Sequence, residues 1–530
     1  MYFVVGSGPS GIACAQALAE SGYPVTILDS GLMLEPEREA MRAVLAGRCD
    51  SNWAESERFA PQDDVFEHGG VPVKLVHGSD YPYRLAPGSA DIYQSGPLGI
   101  RGSYAAGGFS NVWGGAILPY SQDDLAGWPV SERELRPAYA EVLKFLPVAA
   151  ERDNLADLFP LHTDCYTPLR QSRQMERFMR SLAKNKSKLH ANKVFFGRSR
   201  LAIDSAGARS KTSCVYCGRC LHGCPLELIY SSRQSLKNLE SRGKVAYLRG
   251  ITVKSIEERG KSVFIRGVKA DGSPCSFEGK RVFLAAGVLN STIILLRSQN
   301  LYDHTVRIRD SQYFLLPMLQ FTASPNVKEE RLHTLCQAFI EILDSKISEH
   351  TIHLQIYSYN DHIARMLDSK LGLFKRFFPR DSLLGRLLLV QGYLHSSHSA
   401  SIAATLTQRG GSDAVYLEPI ANEQTKGMIL EVVRKLRGLT GLMRATPIGP
   451  MLNIADPGRG FHSGGSFPMA HIPGPGQTDR LGRPYGMERL HVVDSTIFPS
   501  IPATTITLTV MANAYRIGQE VSTMGIEGAA

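Results

Sequence analysis

The 530 residues hold no low-complexity tract, no internal repeat and no apolar run near the ~18 residues that a membrane-crossing helix needs. Fibrous, solenoid and transmembrane classes are therefore not expected. Basic residues outnumber acidic ones by only 59 to 50 and form no long run, so the net charge of +9 does not point to nucleic acid. Met1-Tyr2-Phe3 stand directly before a Gly-rich turn, without room for a charged and apolar leader. The expectation is a cytoplasmic protein, unless a longer precursor has been trimmed. Cysteine is sparse, at nine in the whole chain, and with no export signal disulfides are not favoured. The nearest approach to a membrane contact is "LGLFKRFFPRDSLLGRLLLV", residues 371–390, broken by Lys375, Arg376, Pro379, Arg380, Asp381 and Arg386. A membrane-peripheral contact or a lid is open there, beside the plainer reading of a helix–turn–helix packed on the core.

What is present describes an ordinary globular enzyme of two or three domains, 43% hydrophobic and 21% charged. "YFVVGSGPSGIACAQALAESGYPVTILDSG" reads as strand, tight turn, helix, strand. Gly6 allows the turn, and Gly8, flanked by Ser7, Pro9 and Ser10, lets backbone N–H groups approach a pyrophosphate. Gly11 lets helix and strand pack closely. Asp29, eighteen residues past Gly11, is placed to accept from a ribose 2′-hydroxyl. Further on, Ser131 and Glu134 have capping-box spacing, and residues 246–284 read as short strands of a β-meander. The tail holds "FHSGGSFPM" and then a strand, a Pro-bounded loop and a helix.

Cys214, Cys217, Cys220, Cys224 and Pro225 match C-x2-C-x2-C-x3-C-P, the bacterial ferredoxin run. Three ligand sets are open. Cys214, Cys217 and Cys220 hold a [3Fe–4S] cluster, Cys224 completes a [4Fe–4S], or a distant Cys165 or Cys275 supplies the fourth thiolate. A zinc site fits the spacing poorly, because zinc ligands come in pairs separated by a longer loop.

These blocks together, in this order across nearly the whole chain, resemble the glucose–methanol–choline (GMC) oxidoreductases, FAD enzymes that oxidise alcohols and sugars. The Gly6–Gly11 turn with Asp29 is similar to the family's ADP-binding motif. "GGFSNVWGGA" resembles the segment along the FAD pyrophosphate and isoalloxazine, which implicates Gly107, Gly108, Ser110, Asn111 and Trp113. The resemblance extends to Val253 at the adenine, to Ala286 and Gly287 in "VFLAAGVLN", and to Asp494 near the pyrophosphate and ribityl chain. It makes His462 the base that takes the hydroxyl proton as hydride leaves for the flavin. The register of "PATTITLTV" puts Thr505, followed by Ile506, where the family usually has a second His or Asn. Thr is a poor base, so Thr505 would polarise the substrate oxygen, or Arg101, His395 or His398 would help. A branch resembling the fructose and glucose dehydrogenase large subunits carries an iron–sulfur cluster at this point of the chain.

The expected fold is α/β: a Rossmann-like FAD-binding domain of the glutathione-reductase type, plus an α+β substrate domain with an antiparallel sheet. The expected division is 1–310 for the first domain, with the cysteine insertion around 205–235, 311–455 for the second, and 456–530 for the return. The expected function is a dehydrogenase acting on a hydroxyl of a sugar, polyol or other small alcohol, with a cluster passing electrons to a protein or quinone. Alternatives are a reductase or lyase on the same fold, a non-catalytic subunit, and an alcohol oxidase using O2 with structural cysteines.

Overall fold

The computed structural model describes residues 1–48, 67–68, 71–207, 212–360, 363–365, 380–409 and 412–527. Of the run at 371–390, residues 371–379 fall outside them; Arg380–Leu384 is a short helix and Leu387–Tyr393 a strand. Among the described residues no helix is long and apolar enough to cross a membrane.

The opening strand, Tyr2–Val5, is buried at all four positions, as an interior strand of a parallel sheet must be. Its neighbours are Val25–Asp29 and Arg281–Leu284, with Val245–Arg249 and Leu490–Val492 at the edges, every pairing parallel. This is the expected Rossmann-like frame, assembled from distant parts of the chain. The helix Pro9–Glu20 connects the first two strands, and the last helix, Thr507–Glu527, lies against it. A Cβ on Gly518 would stand 3.1 Å from that of Ala17, and Tyr515 donates to Glu20 at 2.6 Å. Each Leu, Ile or Val sealed in this way contributes on the order of 1.5–3 kcal/mol.

The expected meander over 246–284 is only partly present. Ile251–Arg259, Ser262–Lys269 and Pro274–Gly279 form an antiparallel three-stranded sheet, but the strands on either side, Val245–Arg249 and Arg281–Leu284, belong to the parallel one. A short apolar strand does not declare its partner. The capping box at Ser131 and Glu134 is formed and opens the helix Glu132–Phe145.

The second sheet is antiparallel, in the order Ala445–Pro447, Tyr313–Gln320, Leu387–Tyr393, Ile352–Tyr357, Ala338–Ile342, Val194–Arg198. Helices Arg173–Lys184 and Gln424–Gly438 share its core through Phe178, Leu182, Val432 and Leu436. Chain order and space part company twice. Val194–Arg198 lies within the span 1–310 yet pairs with Ala338–Ile342. Ser401–Arg409 and Ser412–Ile420 lie within 311–455, yet they pair with Thr305–Asp310 and Asp91–Gln94 and pack into the first core.

Candidate active site

A cavity of about 1130 Å³ runs between the two sheets. One wall is the first turn of Pro9–Glu20 with the end of Val25–Asp29. Gly6, at φ +100°, has no room for a side chain, since a Cβ would meet Ala285 O at 2.5 Å. Gly11 is equally confined, with Gly6 O 2.1 Å away, whereas a Cβ on Gly8 would meet no protein atom within 4 Å. Two glycines thus serve the packing of strand on helix, and the third leaves the backbone open to the cavity at a helix N-terminus.

Asp29 lines the cavity and is held from three sides. Ser7 Oγ donates to Oδ2, Tyr247 donates to the same oxygen at 3.3 Å, and Gly31 N donates to Oδ1 at 3.2 Å. Burial pushes the carboxyl up to about 6, against the opposing pull of the Ser7 hydrogen bond. Ser7 Oγ also accepts from Gly107 N at 2.9 Å, which locks the glycine-rich loop to the nucleotide turn.

Of the residues expected around FAD, Gly6, Ser7, Gly8, Pro9, Ser10 and Asp29 line the cavity, as do Gly108, Ser110, Trp113, Val253, Ala286, Gly287 and Ile506. Gly11, Gly107, Asn111 and Asp494 stand behind its wall. Asn111 donates to Ala106 O and Gly108 O, so it shapes the loop from within. Asp494 accepts from Gly287 N at 2.9 Å, Ser291 Oγ at 2.5 Å and Thr496 N at 3.0 Å, which ties the helix Val288–Ser298 to the C-terminal block. Burial raises its carboxyl as well. An open glycine at a helix N-terminus and a buried acid at the end of the second strand fit the phosphates and ribose of a dinucleotide such as FAD.

His462 lines the cavity. Phe461 before it holds φ at +55°, a conformation that costs a bulky residue energy and persists only where neighbours enforce it. The enforcing group is Asp310, which accepts from Gly458 N at 2.7 Å and Ser463 Oγ at 2.8 Å, while Ser311 N donates to His462 O at 3.0 Å. The imidazole stacks on Tyr393, centroids 4.8 Å apart and planes 24° off parallel, and its Nδ1 has no hydrogen-bond partner among the described residues. Burial, and then the charge of His353, pulls its pKa down to about 3, so the ring is neutral over the ordinary range. Thr505 also lines the cavity; its Oγ1 accepts from Leu118 N at 2.6 Å, which leaves its own O–H as a donor. Arg101 lines the cavity near Tyr83, whereas His395 and His398 cluster with His350 outside its lining.

The cysteine loop meets the cavity through Leu221. Cys214, Cys220 and Cys224 pack against a third apolar cluster, built around Leu118, Leu201 and Leu335. Cys214 and Cys217 are each pushed up to about 12, first by burial and then by neighbouring thiolates of the same loop; Cys224 is raised for the same two reasons. The four sulfurs therefore sit within electrostatic reach of one another. Backbone N–H groups face them: Tyr216 at Cys214, Arg219 at Cys217, and Leu226, Leu228 and Ile229 at Cys224. Among the described residues no three His, Cys, Asp or Glu are arranged around a single metal ion. Cys165 is exposed, and Cys275 lies on the separate strand Pro274–Gly279.

Residues the sequence did not single out complete the site. Lys74 Nζ donates to Trp113 O at 3.1 Å; burial pulls its ammonium down to about 8, and Cys220 and Cys224 pull the other way. Tyr313, Gln355, Gln391 and Tyr393 floor the cavity from the second sheet.

Residues 453–514 match the family model of the GMC oxidoreductases, and residues 4–32 match the NAD(P)-binding Rossmann-like domain. No curated protein matches the chain in sequence. Among solved structures, pyridoxine 4-oxidase from Mesorbium loti is similar at TM-score 0.59 with 15% identity, over 98% of both chains. A formate oxidase is similar at TM-score 0.62 with 13% identity, over 99% of this chain and 98% of that one. A variant of the Aspergillus oryzae RIB40 formate oxidase, examined for FAD modification, gives 0.61 at 13% identity over the same shares. At such identities the likeness is one of fold, and the C-terminal segment carries the link to the family.

Proposed function

On the premise of an FAD-dependent oxidoreductase of the GMC type, we propose that this protein oxidises the hydroxyl of a sugar, polyol or other small alcohol, with His462 as the base. The observation that carries the reading is a neutral imidazole lining the same cavity as the nucleotide turn, its Nδ1 without a hydrogen-bond partner among the described residues. Gly6 to Ser10, Asp29, Gly108, Ser110, Trp113, Val253, Ala286, Gly287 and Ile506 would hold the FAD, and Gly11, Gly107, Asn111 and Asp494 would support them from behind. Bound there, the flavin supplies a two-electron acceptor for hydride.

The chain's own part is proton handling and placement. An alcohol releases hydride readily only as its hydroxyl proton departs, and a neutral imidazole takes that proton. Asp310 and the backbone of Ser311 fix His462 so that no reorganisation is needed. The Thr505 hydroxyl, oriented by Leu118 N–H, donates to the substrate oxygen in place of a second base.

On this reading Cys214, Cys217, Cys220 and Cys224 would hold an iron–sulfur cluster, and such a cluster would supply one-electron transfer toward a protein or quinone. Thiolate ligands need positive surroundings, and the N–H groups facing the sulfurs and the ammonium of Lys74 supply them. A second reading has O2 as the acceptor and the cysteines as structural, and the oxidases among the similar folds favour it.

The deciding experiment is anaerobic mixing of the flavin-loaded protein with a panel of polyols, aldoses and simple alcohols, native against His462→Gln. The expected result is bleaching by at least one substrate in the native protein and a loss of about a thousandfold or more in the variant, with flavin content unchanged. Equal bleaching in both removes His462 from the chemistry.

A further inference from the structure

Two carboxamides meet on the cavity face of the second sheet. Gln355 on Ile352–Tyr357 and Gln391 on Leu387–Tyr393 are opposed in register, and both line the cavity. Side chains opposed in an antiparallel pair have Cβ atoms about 5 Å apart, so the two amide heads share one neighbourhood. Gln355 is 4% exposed, and its Oε1 accepts from the Tyr357 hydroxyl at 3.3 Å. Among the described residues no other hydrogen bond engages the amide of Gln355, and none engages that of Gln391. Across the sheet their row reads Leu315, Gln391, Gln355, Phe339, two amides between two apolar side chains.

Amides in such a position are normally hydrogen-bonded within the protein, so this capacity is available to whatever enters the cavity. Tyr393 sets its distance from the base. That residue lies two positions from Gln391 on the same face, roughly 7 Å along the strand, and its ring stacks on His462 at 4.8 Å. A short polyol chain spans such a gap. The chemistry of the pair narrows the choice further. A carboxamide carries an acceptor oxygen and two N–H donors in one plane. Adjacent hydroxyls match it, one donating to the oxygen while the next accepts from the nitrogen. A carboxylate uses only the N–H groups and sets its charge against the amide oxygens, and a monohydric alcohol leaves both amides unpaired.

Resting on the reading of this protein as an oxidoreductase of hydroxyl groups with His462 as the base, we infer that Gln355 and Gln391 determine specificity and that the substrate is a polyol or sugar with vicinal hydroxyls. The amide pair holds neighbouring hydroxyls while the one to be oxidised lies at His462. Tyr357 braces the Gln355 oxygen, so both Nε2 protons of that amide are kept for the substrate. A monohydric alcohol of equal length is selected against, because its carbon chain would cover two amides and pair with neither.

The test sets xylitol, sorbitol and glucose against pentanol and cyclohexanol in anaerobic reduction of the flavin-loaded protein, native and as Gln355→Leu and Gln391→Leu. Flavin content and thermal midpoint establish that each variant is folded and loaded. Gln391→Asn, which keeps the amide but withdraws it by one methylene, stands in if a Leu variant does not fold. The native protein should reduce its flavin at least about tenfold more efficiently with its best polyol or sugar than with either monohydric alcohol, and each substitution should lower that ratio about tenfold. A native preference for the monohydric alcohols, or an equal fall toward both classes, overturns the inference. Calorimetric titration of the same polyols and glucose into protein whose flavin has first been reduced, and which therefore cannot turn over, is the second readout. It keeps the two ideas apart. If no member of the panel bleaches the native flavin, the reading as an oxidoreductase of hydroxyl groups fails, and the amide pair is judged by binding alone: weakened about tenfold in the variants it stands, absent or unaltered it falls.

Discussion

The ammonium of Lys74 donates to the main-chain oxygen of Trp113 at 3.1 Å while Cys220 and Cys224 lie within its electrostatic reach, so one buried cation joins the glycine-rich loop to the cysteine loop. The surrounding segment is bound to the same loop, since His77 N donates to His222 O at 2.8 Å and Arg42 donates to Pro225 O at 2.9 Å. Lys74→Met keeps most of the volume and removes the charged hydrogen bond. A loss of about 1.5–3 kcal/mol is expected, read as a lower thermal midpoint, together with a lower iron-to-flavin ratio. An unchanged midpoint and ratio would show that the two loops are held without it.

The three glycines of the nucleotide turn should separate by phenotype. Gly11→Ala places a carbon against Gly6 O and should reduce soluble, folded protein severely. Gly8→Ala meets no protein atom, so the protein should fold with a native circular dichroism spectrum and bind little or no FAD. Flavin retained at full occupancy by Gly8→Ala would show that the dinucleotide does not lie over this turn.

Acid should act on stability through His491. Its ring is 1% exposed, stacked on Phe283 at 5.1 Å, and burial pulls its pKa down to about 3. Below about pH 6.5 the unfolded chain protonates this histidine and the folded one does not, so its contribution is present above that pH and is lost as pH falls. Relative to His491→Gln, the native protein should lose up to about 1.4 kcal/mol per pH unit between pH 6 and 4. Denaturant midpoints of the pair across that range give the measurement, and parallel curves would mean that His491 is protonated in the fold.

The cysteine loop yields a spectroscopic prediction. Protein purified without air should show flavin bands, broad absorbance in the violet and an EPR signal that changes with dithionite, all but the flavin bands lost in Cys217→Ser. Flavin bands alone with no iron would leave the thiols structural and O2 as the acceptor.

What the sequence disclosed was local. The turn from Gly6 to Gly11, the acid at its fixed distance, the capping box at Ser131 and the cysteine spacing each lie within a few turns of chain, where residue type and geometry are tightly linked. Pairings across hundreds of residues were out of reach. Val194–Arg198 gives no sign that it joins Ala338–Ile342, nor Val245–Arg249 that it ends a parallel sheet instead of starting a meander. Lys74 and Tyr393 carry no sequence pattern that would place them in the cavity lining, because their positions arise from register and docking. Asp494 and Asn111, expected at the cofactor, have side chains that brace the cavity from behind.

The interlocking of the two chain ends sets a timetable for synthesis. The edge strand Leu490–Val492 and the covering helix Thr507–Glu527 are made more than four hundred residues after the helix Pro9–Glu20. At roughly 5–20 residues per second that interval lasts tens of seconds, with an apolar helix face and an unfinished sheet exposed on the ribosome. The yield of active protein in a cell is therefore governed by how well that nascent half is shielded until the last segment arrives.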